Sequence, residues 1–406
     1  MKRTRICKLS LIALFAAGIA VLPLRAEVKY SPYYSLQIAE GAAVPSKGDW
    51  AFALNLASDL GIIVQPSEDH KFIGFYELKY NGPGLRRQEG EKFTDRAMDH
   101  ILIFRHHYNV LPDYILKSQI DYMTEYKRTG TNEVWGSGLY DFNRIGLGVT
   151  LERKFGDGFL GSISQQYHFL DFPNYTDLLS EFQSGQGQVE SSTGKQNHSL
   201  YQTGLAVTRG PSKATLDFVL MAYDRQKVVV ETVQPNQTYY SGTLQRDMML
   251  TLGFKHDRKF LNKIVLSPSI ALKTKVSSQN YQHFTVSDSS VPVRYISGYY
   301  DYNEINVSLP STILLNQKWE FFFNPEWDLK MYSNRPPRDE NNNFVDGKQS
   351  NSLIIASLGF TLKPNDITRT TFFYTYQGQA SNMKFERYLP YNYDGHFFGV
   401  NFDYTY

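Results

Sequence analysis

The chain is poor in sulfur chemistry. Its one cysteine, Cys7, lies ahead of an apolar run near the N-terminus. The remainder has no disulfide, no thiolate nucleophile and no thiolate metal ligand. Apolar runs long enough to span a membrane are missing after residue 26, where a crossing helix needs about 20 residues. If the chain crosses a membrane it does so by strands, because only helices and closed barrels satisfy the backbone in lipid. An excess of one charge is missing too. The 42 Lys+Arg stand against 40 Asp+Glu, a formal net charge of +2, which gives no electrostatic footprint for nucleic acid. Catalytic signatures are also absent. His-Glu-x-x-His and Gly-x-Ser-x-Gly do not occur, and Gly146-Leu147-Gly148 lacks the third glycine of a phosphate loop. His198 and Ser199 are adjacent, so a strand would point them apart. No enzyme and no cofactor is expected.

The first residues read as a targeting segment. Lys2, Arg3, Arg5 and Lys8 make a basic start, Leu9 to Leu22 is apolar, and Leu24-Arg25-Ala26 offers a small-residue cleavage site. That is the pattern of a secretory signal peptide over 1–26. Cleavage there would leave 406 − 26 = 380 residues. It would also remove Cys7 and five basic residues, taking the formal charge to −3.

Aromatic residues are plentiful, with 29 tyrosines and 27 phenylalanines, in a chain whose mean hydropathy is −0.39. The apolar positions recur with a period of two. In 113–127, Tyr114, Leu116, Ile120, Tyr122 and Tyr126 oppose Lys117, Gln119, Asp121, Glu125 and Lys127. In 144–153, Ile145, Leu147, Val149 and Leu151 oppose Arg144 and Glu152. In 263–276, Ile264, Leu266, Ile270 and Leu272 oppose Lys273 and Lys275. In 317–331, Trp319, Phe321, Phe323, Trp327, Leu329 and Met331 oppose Lys318, Glu320, Glu326, Asp328 and Lys330. Period two is the signature of a pleated strand with two different faces, and a tilted membrane strand needs roughly 9–11 residues. Tight turns rich in Gly, Pro, Asp and Asn alternate along the chain with longer polar stretches.

The last strand carries a family signature. Phe398, Val400, Phe402, Tyr404 and Tyr406 share one face, and the chain stops on the aromatic. This resembles the closing strand of bacterial outer-membrane β-barrels. The resemblance implies an all-β, transmembrane, antiparallel up-and-down β-barrel over 50–406, in the outer membrane of a Gram-negative cell. Phe402, Tyr404 and Tyr406 would then be the C-terminal insertion signal read by the barrel-insertion machinery. The outer wall would meet outer-membrane lipid and lipopolysaccharide. Counting back from Tyr406 gives fifteen strands, and the preference for even numbers makes 28–39 the sixteenth. Fourteen is the alternative count, with 27–49 as an N-terminal hatch segment instead of a first strand. Strands 98–108 and 197–208 alternate poorly. Pro268 and Pro325, inside predicted strands, suggest bulges or edges.

Within that architecture the charged face lines the bore. The expected lumen residues are Lys117, Asp121, Glu125, Arg144, Glu152, Lys273, Lys275, Glu304, Lys318, Glu320, Glu326, Asp328 and Lys330. In a wet pore such groups set the local field, and here their signs are mixed. The expected function is a passive channel for small hydrophilic solutes, narrowed by inward loops such as 173–197. Two other readings stand beside it. One is a closed surface-interaction barrel. The other is a transporter of hydrophobic substrates, for which Leu200, Val219, Met221, Met249 and Phe322 face inward. The loop tyrosines Tyr299, Tyr300, Tyr302, Tyr388, Tyr391 and Tyr393 read as interface anchors first and sugar platforms second. No metal site is expected: His106 and His107 point apart, and the acidic loop Asp339 to Asp346 has Phe344 where a calcium loop needs glycine. The sequence leaves open whether the barrel forms a homo-oligomer.

Overall fold

The computed structural model describes residues 28–46, 50–82, 96–128, 134–175, 194–231, 240–283, 294–386 and 391–406. The signal-peptide expectation and Tyr388 fall outside these residues, as does most of the loop 173–197. The strands in chain order are β1 Lys29–Pro45, β2 Ala51–Gln65, β3 His70–Asn81, β4 Arg96–Leu111, β5 Tyr114–Arg128, β6 Phe142–Lys154 and β7 Phe159–Asp171. They continue with β8 His198–Arg209, β9 Ser212–Val229, β10 Tyr240–His256, β11 Arg258–Phe260, β12 Ile264–Leu266, β13 Ser269–Ser277, β14 Tyr281–His283 and β15 Arg294–Ile296. The last are β16 Tyr302–Ser308, β17 Ser311–Leu314, β18 Trp319–Tyr332, β19 Ser350–Leu362, β20 Thr368–Ser381 and β21 Tyr393–Thr405.

Every wall strand runs antiparallel to its neighbours, and β21 returns to β1 from Ser35↔Thr405 to Pro45↔Gly395. The wall therefore closes and leaves no free edge. Three staves are made of two segments each: β10 with β11, β12 with β13, and β16 with β17. The β14–β15 hairpin stands apart from the wall. The result is a closed barrel of sixteen antiparallel staves. Among the described residues no helix is long and apolar enough to cross a membrane.

The N-terminal strand is part of the wall, with register partners on β2 along one side and on β21 along the other. It also runs six residues past the predicted end at 39. Gly41-Ala42-Ala43 reads as loop in the sequence, yet Gly41 lies opposite Gly399 and Ala53, and all three residues continue the ladder. Position 40–45 is thus strand because its partners, not its own side chains, favour it.

The prolines act as expected in part. Pro268 separates β12 from β13, and Pro310 separates β16 from β17. Pro325 stays inside β18, opposite Ala356. The three lie on successive staves and satisfy one another's gaps. His256 N–H donates to the Pro268 carbonyl at 3.0 Å, Ser267 N–H to Pro310 at 2.8 Å and Leu309 N–H to Pro325 at 3.0 Å. Each proline lacks a donor, but each carbonyl still ties its stave to the next.

Short turns, the start of β1 and the end of β21 gather at one end of the barrel, and long connections at the other. At Gly156–Gly158 the turn uses left-handed backbone at Asp157 (φ 60°) and Gly158 (φ 74°), which Asp and Gly tolerate best. The outer face carries the apolar residues, among them Phe52, Leu147, Leu205, Leu252, Ile354 and Phe402, all exposed. A globular protein would bury them; a lipid-facing wall shows them. The poor alternation of 98–108 has a physical cause. His100 and His106 point outward and are accommodated by rings. His106 stacks on Phe72 at 4.4 Å and meets His70 with Nε2 to Nδ1 at 3.0 Å, and His100 Nδ1 lies 2.6 Å from the Tyr76 hydroxyl. Inward, Ile101 and Ile103 pack with Met123, Phe75 and Phe142.

Candidate functional site

The bore is the concave, chemically varied surface of this fold, and its wall is organised in cross-strand rows. Side chains at 273, 304 and 330 share one row, because Lys273 pairs with Glu304 and Glu304 with Lys330. Glu304 receives both amines, Lys273 Nζ at 2.7 Å and Lys330 Nζ at 3.2 Å. One row further, Lys275 Nζ lies 3.0 Å from Asp247, which is only 1% exposed. Ser277 Oγ donates to the same carboxylate at 2.6 Å and Gln245 Nε2 at 3.0 Å. Glu326 and Asp328 converge on Asn306 Nδ2, at 2.6 and 2.5 Å. Glu320 takes Lys363 from the adjoining turn.

A second charged arc lies on β5 and β6. Arg144 Nη2 is 3.0 Å from Asp121, and Lys117 Nζ is 2.5 Å from Glu152. Asp121 is 2% exposed and also accepts Gln119 Nε2 at 3.1 Å. Glu125 faces the bore in the row of Asp99 and Lys79. Twelve of the thirteen expected lumen residues thus point inward from wall strands. Lys318 does not. β18 begins at Trp319, and Lys318 is exposed in the preceding turn, where its carbonyl accepts Lys363 N–H. Alternation alone extended the strand two residues too far, because Lys318 continues the charged phase into a turn held by Asn316.

Between the arcs runs a stretch of wall with few charges, the Arg369–Asp403 pair toward the short-turn end and Asp59 on β2. Its central row is Phe322, Gly359, Phe373, Gly399, Gly41 and Ala53, one residue from each of six adjacent strands. Each phenyl ring lies over a glycine of a neighbouring strand. A Cβ on Gly359 would come within 2.9 Å of the Phe322 ring, one on Gly399 within 2.6 Å of Phe373, and one on Gly41 within 2.9 Å of Phe397. Phe373 and Phe397 touch, with centroids 5.4 Å apart. Hydroxyl pairs bracket this row, Ser357 with Thr375 at 2.8 Å on one side and Thr361 with Thr371 at 3.0 Å on the other.

The long-loop end is partly covered. Tyr299, Tyr302, Tyr332 and Tyr393 are all buried there, so the first reading of loop tyrosines as interface anchors is corrected for Tyr299, Tyr302 and Tyr393. Tyr393 accepts Gln377 Nε2 at 3.0 Å, and the other three pack against cations. Lys330 Nζ sits 4.5 Å from the Tyr302 ring, and the Arg335 guanidinium sits 4.7 Å from Tyr299 and 4.8 Å from Tyr332. Tyr299 stacks on Tyr281 at 4.4 Å, and Arg338 donates to the Tyr281 hydroxyl at 2.6 Å. Arg335 Nη2 donates to the Tyr391 hydroxyl at 2.9 Å. Burial pushes the Tyr299 phenol above its ordinary range, while Arg335 and Arg338 pull it back. These contacts join the loops after β13, β18 and β20 into one cap. The signal for it lies in side chains 18 to 57 residues apart, which no local pattern connects.

Metal chemistry finds no cluster of three or more His, Cys, Asp or Glu among the described residues. In the acidic loop Asp339 serves its own backbone, accepting Asn341 N–H at 2.9 Å and Asn343 N–H at 2.8 Å. Asn343 holds its carboxyl below the ordinary range. At the short-turn end, Phe402 and Tyr404 face outward, Tyr34 lies 5.9 Å from Tyr404, and the Tyr406 backbone pairs with Tyr34.

No family model and no curated protein matches the chain. Solved structures do. The in-vitro folded OmpT, an outer membrane protein of Vibrio cholerae, aligns over 94% of this chain and 99% of that one, at 10% identity and a TM-score of 0.47. An anion-selective porin from Comamonas acidovorans aligns over 94% and 100%, at 10% identity and 0.44. A bacterial polysaccharide outer membrane secretin aligns over 92% and 97%, at 11% identity and 0.45.

Proposed function

We propose that this barrel is an outer-membrane channel through which small hydrophilic solutes diffuse. The observation that carries the reading is the closure of sixteen staves around a wall lined by ionised side chains. Eight strands make a bore that side chains can fill, whereas about sixteen leave an aqueous passage. Paired charges at the wall are consistent with water beside them, since buried ion pairs in a dry interior recover little of their desolvation cost. In this reading the short turns face the periplasm and the long loops the outside. The Tyr–Arg cap then narrows the outer mouth on the β13–β21 side. Phe402, Tyr404 and Tyr406 serve as the insertion signal, and the apolar outer wall meets lipid and lipopolysaccharide. No catalytic step is assigned.

The test is single-channel conductance of the refolded chain from residue 27 in a planar bilayer. Steady current steps are expected, with weak ion selectivity because the wall charges largely neutralise one another. Silence from protein shown to be folded would overturn the channel and leave a closed surface-interaction barrel. Removing 27–49 is no control for a hatch here, because β1 is a wall strand and its loss opens the barrel.

A further inference from the structure

We infer that the phenyl–glycine row of the bore wall is a binding strip for an uncharged, ring-shaped solute with one flat apolar face and hydroxyl groups at its edge. The inference rests on the reading of the bore as a water-filled passage. It begins from an oddity of placement. An inward face of a wet barrel is normally polar, yet Phe322, Phe373 and Phe397 all point inward and none is fully buried. Their partners explain how they lie. The inward Cβ position of Gly359, Gly399 or Gly41 is already occupied by a phenyl ring. Each ring therefore reaches across the wall so that its outer carbons cover a glycine of a neighbouring strand.

Filling the gap above a glycine is one use of such a ring, since aromatic side chains repair glycine-weakened sheets. Repair does not account for the rest of the row. Gly399 and Gly41 are direct cross-strand partners, with Ala53 beyond them. The wall thus has no long side chain of its own for three strands, and this leaves space in front of the rings. Among the inward residues of β19, β20, β21 and β1 the charges are Lys29, Arg369 and Asp403, all toward the short-turn end. The flanking rows are polar, with the hydroxyl pairs Ser357–Thr375 and Thr361–Thr371 next to Asn324, Asn401 and Glu320. A charged solute finds its counter-ions on the other arcs. A ring that presents an apolar face to the phenyls and hydroxyls to the serine and threonine pairs fits this row. Both an aromatic π face and the C–H face of a cyclic sugar have that chemistry, and aromatic contacts with either are directional.

The test is saturation-transfer difference NMR on the folded barrel in nanodiscs. The probes are 4-hydroxybenzyl alcohol, methyl β-D-glucopyranoside and, as an acyclic polyol, erythritol. At least one ring probe is expected to take up saturation on its ring protons while erythritol takes up none, and which ring responds identifies the face. Phe373→Leu keeps apolar cover over Gly399 but removes the flat ring, and it should weaken ring binding about fivefold to tenfold. Phe373→Ala should do the same, and Phe373→Leu decides the matter where alanine fails to fold. Equal response of all three probes, response of neither ring, or unchanged affinity in Phe373→Leu would overturn the strip. Conductance of the same proteins separates the two readings. Ring binding without current would sink the channel and keep the strip, and current without ring binding would do the reverse.

Discussion

Across β13, β16 and β18 the bore wall carries Lys273, Lys275, Glu304, Asp328 and Lys330, held in cross-strand contacts of ionised groups. Across β19, β20, β21 and β1 the same wall carries phenyl rings laid over glycines, flanked by paired hydroxyls. The two regions hold the barrel by different means. In the charged region a carboxylate such as Asp247 is 1% exposed and has three donors around it. Its neighbours depend on that charge staying in place. In the neutral region the backbone comes first, and side chains are fitted to whatever room the glycines leave. Damage should therefore be electrostatic in one and steric in the other.

The largest effect is expected from breaking the charged region at its most enclosed point. Asp247→Ala leaves the Lys275 amine with no carboxylate at 3.0 Å and orphans the Ser277 hydroxyl. Removing one member of a buried pair typically costs 3–5 kcal/mol, and the partial exposure of Lys275 argues for the lower end, about 3 kcal/mol. Asp247→Asn can still accept from Ser277 and should lose less. Guanidinium unfolding of the barrel in lipid vesicles measures both. Equal stability of Asp247→Ala and the parent would mean that water, not Lys275, is the partner that counts.

The matching break in the neutral region is Gly399→Ala. The added methyl would sit 2.6 Å from the Phe373 ring and 2.8 Å from the Glu40 carbonyl oxygen, and the second of these cannot swing aside. Overpacking of this kind costs about 1–3 kcal/mol. The same unfolding experiment reads it, and combining the change with Phe373→Ala tells which clash matters. If removing the ring restores full stability, the ring was the obstacle; if not, the backbone carbonyl was. A Gly399→Ala barrel as stable as the parent would show that the phenyls rest on the wall loosely.

The two regions were also unequally legible in the sequence. Alternation along one strand exposed Lys117, Asp121, Arg144, Lys273 and Lys330, because a period of two sorts charge from apolar within a few consecutive residues. The same signal, with the turn residues, gave the strands, and the resemblance of the last strand to outer-membrane barrels implied that they close. The neutral row was invisible for the opposite reason. It runs across strands, so Phe322, Gly359, Phe373, Gly399 and Gly41 come from distant parts of the chain and only the register joins them. Phe322 was placed inward by phase, but no single strand shows that its ring covers a glycine on the next. The Tyr–Arg cap escaped likewise. A tyrosine at a loop edge has the same local signature whether it anchors in an interface or folds inward onto Arg335.

The smallest effect expected is a gain, and it comes from the outer side of the neutral region. Glu40 precedes Gly41 on β1 and therefore points outward, opposite Leu54 and Val400. It is exposed among Ala42, Phe52, Phe372 and Phe398, beside a groove of about 1010 Å³. Lipid-facing charges destabilise barrels in a depth-dependent way, less for acids than for the 2–4 kcal/mol of a midplane Arg or Lys. Glu40→Leu should therefore stabilise the barrel by about 1 kcal/mol in vesicles. In a detergent micelle, where water reaches the carboxylate more easily, the gain should shrink. The comparison between the two media makes the test specific. A leucine that only packs better would stabilise in both, whereas one that removes a desolvated charge stabilises mainly in the bilayer. Loss of stability in the bilayer would mean that Glu40 meets a partner there and that this stretch of the outer wall is not bare to lipid.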